Sequence, residues 1–266
     1  MKTSRIKNII IVILALVNAF LLVLLLGRHN QQRIAYERSV EQLSLLLTGN
    51  GIAFDTALLP GDASFPSAGL SRDADTEAAF ARALLGDGVT TRSTGGSFVY
   101  EGDAGSLQFR TNGTVDGKVN RPVNDPADFL SAVLSDLGYR ADVSSALSAT
   151  GSGTAAAVYE ADGAVIFNAP LFFAFEKNVL TSVSGSFLSS LTLAAPAGGA
   201  DAITALVRFL DYRNSNGLVC TQITSLDRGY LLQSSTASAK LVPAWHIATD
   251  VSEYYVNSAT GEITRE

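Results

Sequence analysis

From Ile9 to Leu26 the chain is apolar except for Asn18, and no other feature constrains its fold as strongly. Eighteen residues rising about 1.5 Å each make a helix of roughly 27 Å, close to the hydrocarbon thickness of about 30 Å. The run predicts a transmembrane helix over residues 9–27 behind a tail of residues 1–8. It is longer than the apolar stretch of about 7–15 residues in a secretory signal, and Leu25-Leu-Gly-Arg-His29 offers no small residues spaced for cleavage. The expectation is an uncleaved anchor. Lys2, Arg5 and Lys7 precede the run and Arg28, Arg33 and Arg38 follow it, so the positive charges nearly balance and do not orient it. A very short leading tail and a large following body are compatible with a cytoplasmic N-terminus and an extracytoplasmic C-terminal part.

Ala15, Asn18, Ala19 and Leu22 fall on one face of that helix, at i, i+3, i+4 and i+7. Small residues let another helix approach closely, and an amide left unpaired in lipid seeks a hydrogen bond worth about 0.6–2 kcal/mol. That face is the expected contact with a partner's membrane helix. The competing reading is a passive anchor whose Asn18 bonds within its own helix.

Beyond the run lie all 25 acidic residues and 16 of the 19 basic ones, a balance that disfavours a nucleic-acid-binding surface. The 47% hydrophobic content of the 266 residues supports a substantial core. Cys220 is the only cysteine, which excludes an internal disulfide and a cysteine-based metal cluster. Its neighbours Leu218, Val219 and Ile223 favour a buried structural thiol.

Tyr36, Val40, Leu43 and Leu47 recur at four, three and four residues, predicting an amphipathic stalk helix over 28–49 that Gly49-Asn-Gly51 stops. The stripe would either seat a partner helix or lie on the protein's own body. A first α+β unit is expected over 50–121, with a short strand at Ile52–Phe54, a helix from Asp75 to Leu85, and strands at Gly96–Tyr100 and Ser106–Arg110 before an Asn112-Gly113 turn. A second is expected over 122–266. It opens with Asp125 as N-cap and Pro126 at the first helical position, followed by apolar Phe129, Leu130, Val133, Leu134 and Leu137. Strands around Asp162-Gly163 and Glu176-Lys-Asn178 follow, then an Ala/Gly/Pro-rich connection over Ala194–Ala200 and a helix through Ile203, Leu206, Val207 and Leu210. Leu218–Ile223 and Arg228–Leu232 return to strand, and the chain closes with a hairpin. The fold class expected is thus α+β: a single N-terminal transmembrane helix, then two small units of antiparallel sheet with packed helices. Val99–Phe109 and Val158–Phe167 echo one another as strand, acidic turn, strand, through duplication or through common hairpin chemistry.

Chemistry is scarce. His29 lies beside the membrane run and His246 on a predicted strand between Trp245 and Ile247, so a histidine metal cluster is out of reach and no motif supplies His246 with the oriented partner that general-base work needs. Alternate carboxylates at Asp73, Asp75 and Glu77 suit a helix N-terminus better than a cation. No catalytic residue, metal or cofactor is expected.

The end of the chain carries the remaining signal: Gly229-Tyr230, Pro243-Ala-Trp245, and Tyr254-Tyr255-Val-Asn-Ser-Ala-Thr-Gly261-Glu. With the anchor, the stalk and Leu45-Leu-Leu-Thr-Gly-Asn-Gly-Ile52 in this order, the chain resembles the YycI/YycH family of membrane-anchored bacterial regulators, with a PepSY-like C-terminal hairpin. The resemblance implies a non-enzymatic extracytoplasmic protein that pairs with a YycH-like partner. It also implies control, through membrane helices, of a YycG/WalK-type sensor histidine kinase governing cell-wall metabolism. The high Gly and Ala and low Lys content depart from the family's usual composition. The alternative is a PepSY-like binding or inhibitory module acting on a secreted peptidase or a wall ligand.

Overall fold

Three stretches of this chain follow one plan, a helix and then four strands that fold back and forth. The computed structural model describes residues 33–60, 65–143, 146–161, 164–235 and 238–265. The transmembrane helix expected over 9–27, with Ala15, Asn18, Ala19 and Leu22, lies outside them. Among the described residues no helix is long and apolar enough to cross a membrane. The chain divides into two compact units, Met1–Thr56 and Ala57–Glu266.

In the first unit a helix, α1, covers residues 33–49. Of its apolar stripe, Leu43 and Leu47 are buried while Tyr36 is 42% exposed. Ile52–Phe54, expected as a strand, makes only an isolated bridge at residue 53.

The second unit opens with strand β1 (Phe65–Ser71) and helix α2 (Ala74–Leu85). Asp73 caps α2 by accepting from the Asp75 backbone N–H. Four strands follow, β2 (Thr90–Thr94), β3 (Ser97–Gly102), β4 (Gly105–Arg110) and β5 (Thr114–Pro122), each paired antiparallel to the next. Helix α3 (Pro126–Leu134) starts at the Asp125 cap and runs through a short 3-10 turn to Gly138, left-handed at φ 74°. Its meander is β6 (Tyr139–Asp142), β7 (Gly153–Ala161), β8 (Ala164–Glu176) and β9 (Val179–Ser186). Lys177 and Asn178, both at positive φ, form the β8–β9 turn. Strand β10 (Ser190–Ala197) then precedes helix α4 (Ala202–Ser215) and the third meander: β11 (Ile223–Ser234), β12 (Ala239–Thr249), β13 (Glu253–Asn257) and β14 (Ile263–Arg265).

Two joints weld the meanders into one twelve-stranded sheet. β5 pairs antiparallel with β9, and β11 runs parallel to the first half of β8 through Gly229 opposite Val165 and Tyr230 opposite Ile166. Strands β1 and β10, far apart in sequence, form a separate antiparallel pair. A continuous set of buried side chains runs from Phe80 and Leu84 of α2 through Phe109 and Leu130 to Phe173 and Tyr230.

The expected fold class is therefore corrected. Strands hold 47% of the structure against 27% for helices, and apart from the β1–β10 pair they form one large mixed sheet rather than two small antiparallel ones. It crosses the expected boundary between residues 121 and 122 through the β5–β9 pairing. Ser190–Ala197, whose second half falls in the expected connection over Ala194–Ala200, is a strand, whereas 218–222, expected as part of one, is not. The internal echo falls on equivalent hairpins, the second and third strands of the first two meanders. Buried Tyr100 faces Leu107 in one as buried Tyr159 faces Ile166 in the other.

Candidate functional site

The C-terminal residues that carry the resemblance sit in the third meander and on both of its faces. On one face Trp245 is fully buried, and its indole Nε1–H donates to the Ala200 carbonyl at 2.8 Å. The Ser258 hydroxyl donates to the same oxygen at 2.9 Å, while Ala200 N–H donates to the Ser258 carbonyl. These bonds fasten the start of α4 to the turn after β13. The Tyr230 hydroxyl donates to the Pro66 carbonyl at 2.6 Å, and the Phe65 ring stands edge-on to both Tyr230 and Trp245. Strand β1 is thereby anchored to a meander some 160 residues later in the chain. Tyr254 packs on Phe209 of α4, with ring centroids 4.9 Å apart.

On the opposite face, Gly229 lies at the parallel joint beneath the Phe167 ring. A Cβ there would stand 2.3 Å from the Val165 carbonyl oxygen and 2.6 Å from the ring. Tyr255 stacks on His246, centroids 5.1 Å apart, and Phe167 flanks both. Pro243, opposite Tyr230 and so on the Trp245 face, lies just beyond the last β12–β13 pair, where its carbonyl accepts the Ser258 N–H at 2.8 Å. Gly261 takes a left-handed φ of 78° under the Arg208 guanidinium. All seven residues build the module, and they do not converge on one cleft.

His246 has what no motif disclosed. Its Nδ1 is 3.3 Å from Asp227 and its Nε2 3.0 Å from Glu253, carboxylates brought alongside by the strands on either side. Both ring nitrogens are engaged, so the imidazole is fixed between two acids. Cys220 is buried, and that burial pushes its thiol up, away from the reactive thiolate.

The three early carboxylates diverge. Asp73 caps α2, and its hydrogen bond from the Thr76 hydroxyl, with that from Asp75 N–H, holds its carboxyl below the usual range. Asp75 is exposed in the first turn. Glu77 turns inward: its Oε2 accepts from Arg72 at 2.6 Å and from the Tyr100 hydroxyl at 3.2 Å, with its side chain 5% exposed. Burial raises the Glu77 carboxyl and outweighs the lowering by Arg72. Burial likewise raises the Tyr100 hydroxyl. Arg72 also lies over the Phe98 ring, 3.4 Å from its centroid. A cavity of about 70 Å³ touches Arg72, Glu77, Arg110 and Ser189. The bonds of this cluster run between its own members, tying α2 to β3 and to the segment after β1. The sequence hid it because Arg72, Glu77 and Tyr100 meet only when α2 packs on β3.

Among the described residues no group of three or more His, Cys, Asp or Glu side chains is placed to hold a metal ion. No model of a known protein family matches this chain and no curated protein is similar to it, so the resemblance to the YycI/YycH regulators rests on the quoted residues and their order.

Proposed function

We propose that this protein is a non-enzymatic, membrane-anchored extracytoplasmic regulator of a sensor histidine kinase of the YycG/WalK type, working with a YycH-like partner. Its anchor would contact the kinase's membrane helices through Ala15, Asn18, Ala19 and Leu22. One observation carries the reading: the apolar run to Leu26 is followed within a few residues by α1, whose stripe is divided. Leu43 and Leu47 are buried, while Tyr36, nearest the run, is 42% exposed. The far half of the stripe is used within the chain, and the near half is left for a neighbouring helix just outside the bilayer. A helix placed there acts by preferring one of two kinase arrangements, and its effect is bounded by its differential affinity for them.

The test is to replace residues 9–26 with an unrelated spanning helix of equal length. Kinase autophosphorylation should lose its dependence on this protein, and cysteines placed at Asn18 and Tyr36 should crosslink to kinase helices in the native sequence. Control that survives the exchange would overturn the reading in favour of a PepSY-like binding module that acts through the outer body alone.

A further inference from the structure

The second meander ends in an open edge beside a trough. Among the described residues β6 has β7 as its one strand neighbour. The Glu160 N–H donates to the Gly138 carbonyl at 2.7 Å, and Tyr139 faces Tyr159. By the alternation of an antiparallel ladder, Tyr139 and Ala141 therefore occupy non-hydrogen-bonded pairs with β7, and their own N–H and C=O groups point to the free edge. Along that edge, between β6 and α3, lies a cavity of about 330 Å³ whose lining includes Leu130, Leu134, Ala141 and Val143. A second, of about 250 Å³, begins at the N-terminus of α3 and shares Ala127 and Val143 with the first. Together they form one trough. Helix α3 and its 3-10 turn are about 18 Å long, which matches about five residues of extended chain at 3.3 Å each.

We propose that this trough takes an extended peptide segment of a protein partner, added to the sheet as a strand antiparallel to β6. Backbone donors and acceptors at a sheet edge recognise extended chain of any sequence, and the neighbouring groove selects its side chains. Two charges set the direction. Arg140, 79% exposed although 2.9 Å from Glu160, marks the Tyr139 end. Asp125, exposed at the α3 cap, marks the other. An antiparallel strand would bring its N-terminal part to Asp125 and its C-terminal part to Arg140. The occupant is accordingly basic at its start, apolar at alternate central positions and acidic at its end. This inference is independent of what the membrane run contacts, and either can fail without the other.

The probe is the fluorescein-labelled peptide Lys-Val-Thr-Val-Thr-Val-Glu, titrated by anisotropy against the full chain in detergent. Saturable binding is expected, weakened at least tenfold when Ser131→Phe fills the trough from the exposed side of α3. N-methylation of alternate peptide nitrogens should abolish binding in one register and spare it in the other, a readout that does not depend on the folding of any variant. The charge-reversed peptide, Glu first and Lys last, should bind less tightly. Absence of saturable binding, equal effects of the two methylation registers, or unchanged affinity in a folded Ser131→Phe protein would overturn the proposal. So would a dimer, seen by sedimentation, that Ser131→Phe dissolves, because the trough would then belong to a second copy.

Discussion

At Gly229 one added carbon is enough to disturb the joint between two thirds of the sheet. A Cβ would press on the Val165 backbone oxygen and the Phe167 ring, and backbone at a strand pairing cannot move aside as a flexible side chain would. Gly229→Ala should therefore destabilise the protein by about 1–3 kcal/mol, the usual cost of overpacking a filled interior. Urea denaturation checks it, and a midpoint unchanged from the parent would refute the steric account. Glu77 makes a pH prediction. Burial holds its proton in the folded protein to a higher pH than in the unfolded chain, where it leaves at about 4.3. The folded state thus binds more protons in that window, and the stabilisation present below it is lost as pH rises through the raised folded value. Asp73, whose carboxyl is held low, has the opposite sign and loses its contribution as pH falls. Glu77→Gln removes only the first titration, so melts should show the variant gaining stability relative to the parent as pH rises from about 4 through the raised folded value. A constant difference across that range would show that Glu77 does not titrate differently on folding.

Among elements, β8 carries the most. It pairs with β7 along one side, and along the other with β11 and then with β9. The parallel pairing with β11 is only two residues long, and a side chain extends it. The Asn168 amide donates to the Leu232 carbonyl at 3.0 Å and accepts the Leu232 N–H at 2.7 Å, imitating one more backbone pair. Asn168→Ala should cost about 1–3 kcal/mol and speed hydrogen exchange at the Leu232 amide well beyond its effect on β12. Equal protection of Leu232 in both proteins would remove the clamp from the account. Helices α2, α3 and α4 were legible in the sequence because each carries its apolar residues at helical spacing, and α3 most plainly, where Asp125, Leu130 with Leu134, and Gly138 supply a cap, a face and a stop. Strands β1 and β10 were not. Phe65–Ser71 and Ser190–Ala197 carry prolines, glycine and small residues without clear alternation, and each becomes a strand by pairing with the other across the chain.

For the whole molecule, separate small units and one welded sheet make different predictions about unfolding. Trp245, the only tryptophan, reports on the third meander alone, whereas far-ultraviolet circular dichroism reports on every strand. Because Tyr230 and Trp245 hold β1 and the core passes from α2 to Tyr230, the two signals should change together in a single thermal transition. Trp245 fluorescence that melts at a different temperature would separate the third meander from the rest.

Taken alone, the sequence determined what is local. It supplied an apolar run long enough to span a bilayer, three amphipathic helices, one of them with its cap at Asp125, tight turns such as that at Lys177-Asn178, and a closing hairpin with Trp245 on its inward side. Those features depend on residues a few positions apart, whose backbone preferences and apolar spacing are written in order. Tertiary structure alone decided that three meanders share one sheet, that Arg72, Glu77 and Tyr100 meet, and that two carboxylates hold His246. Each of those rests on pairing between distant segments, where backbone hydrogen bonding is indifferent to residue type and the choice of neighbour is made by the packing of the whole.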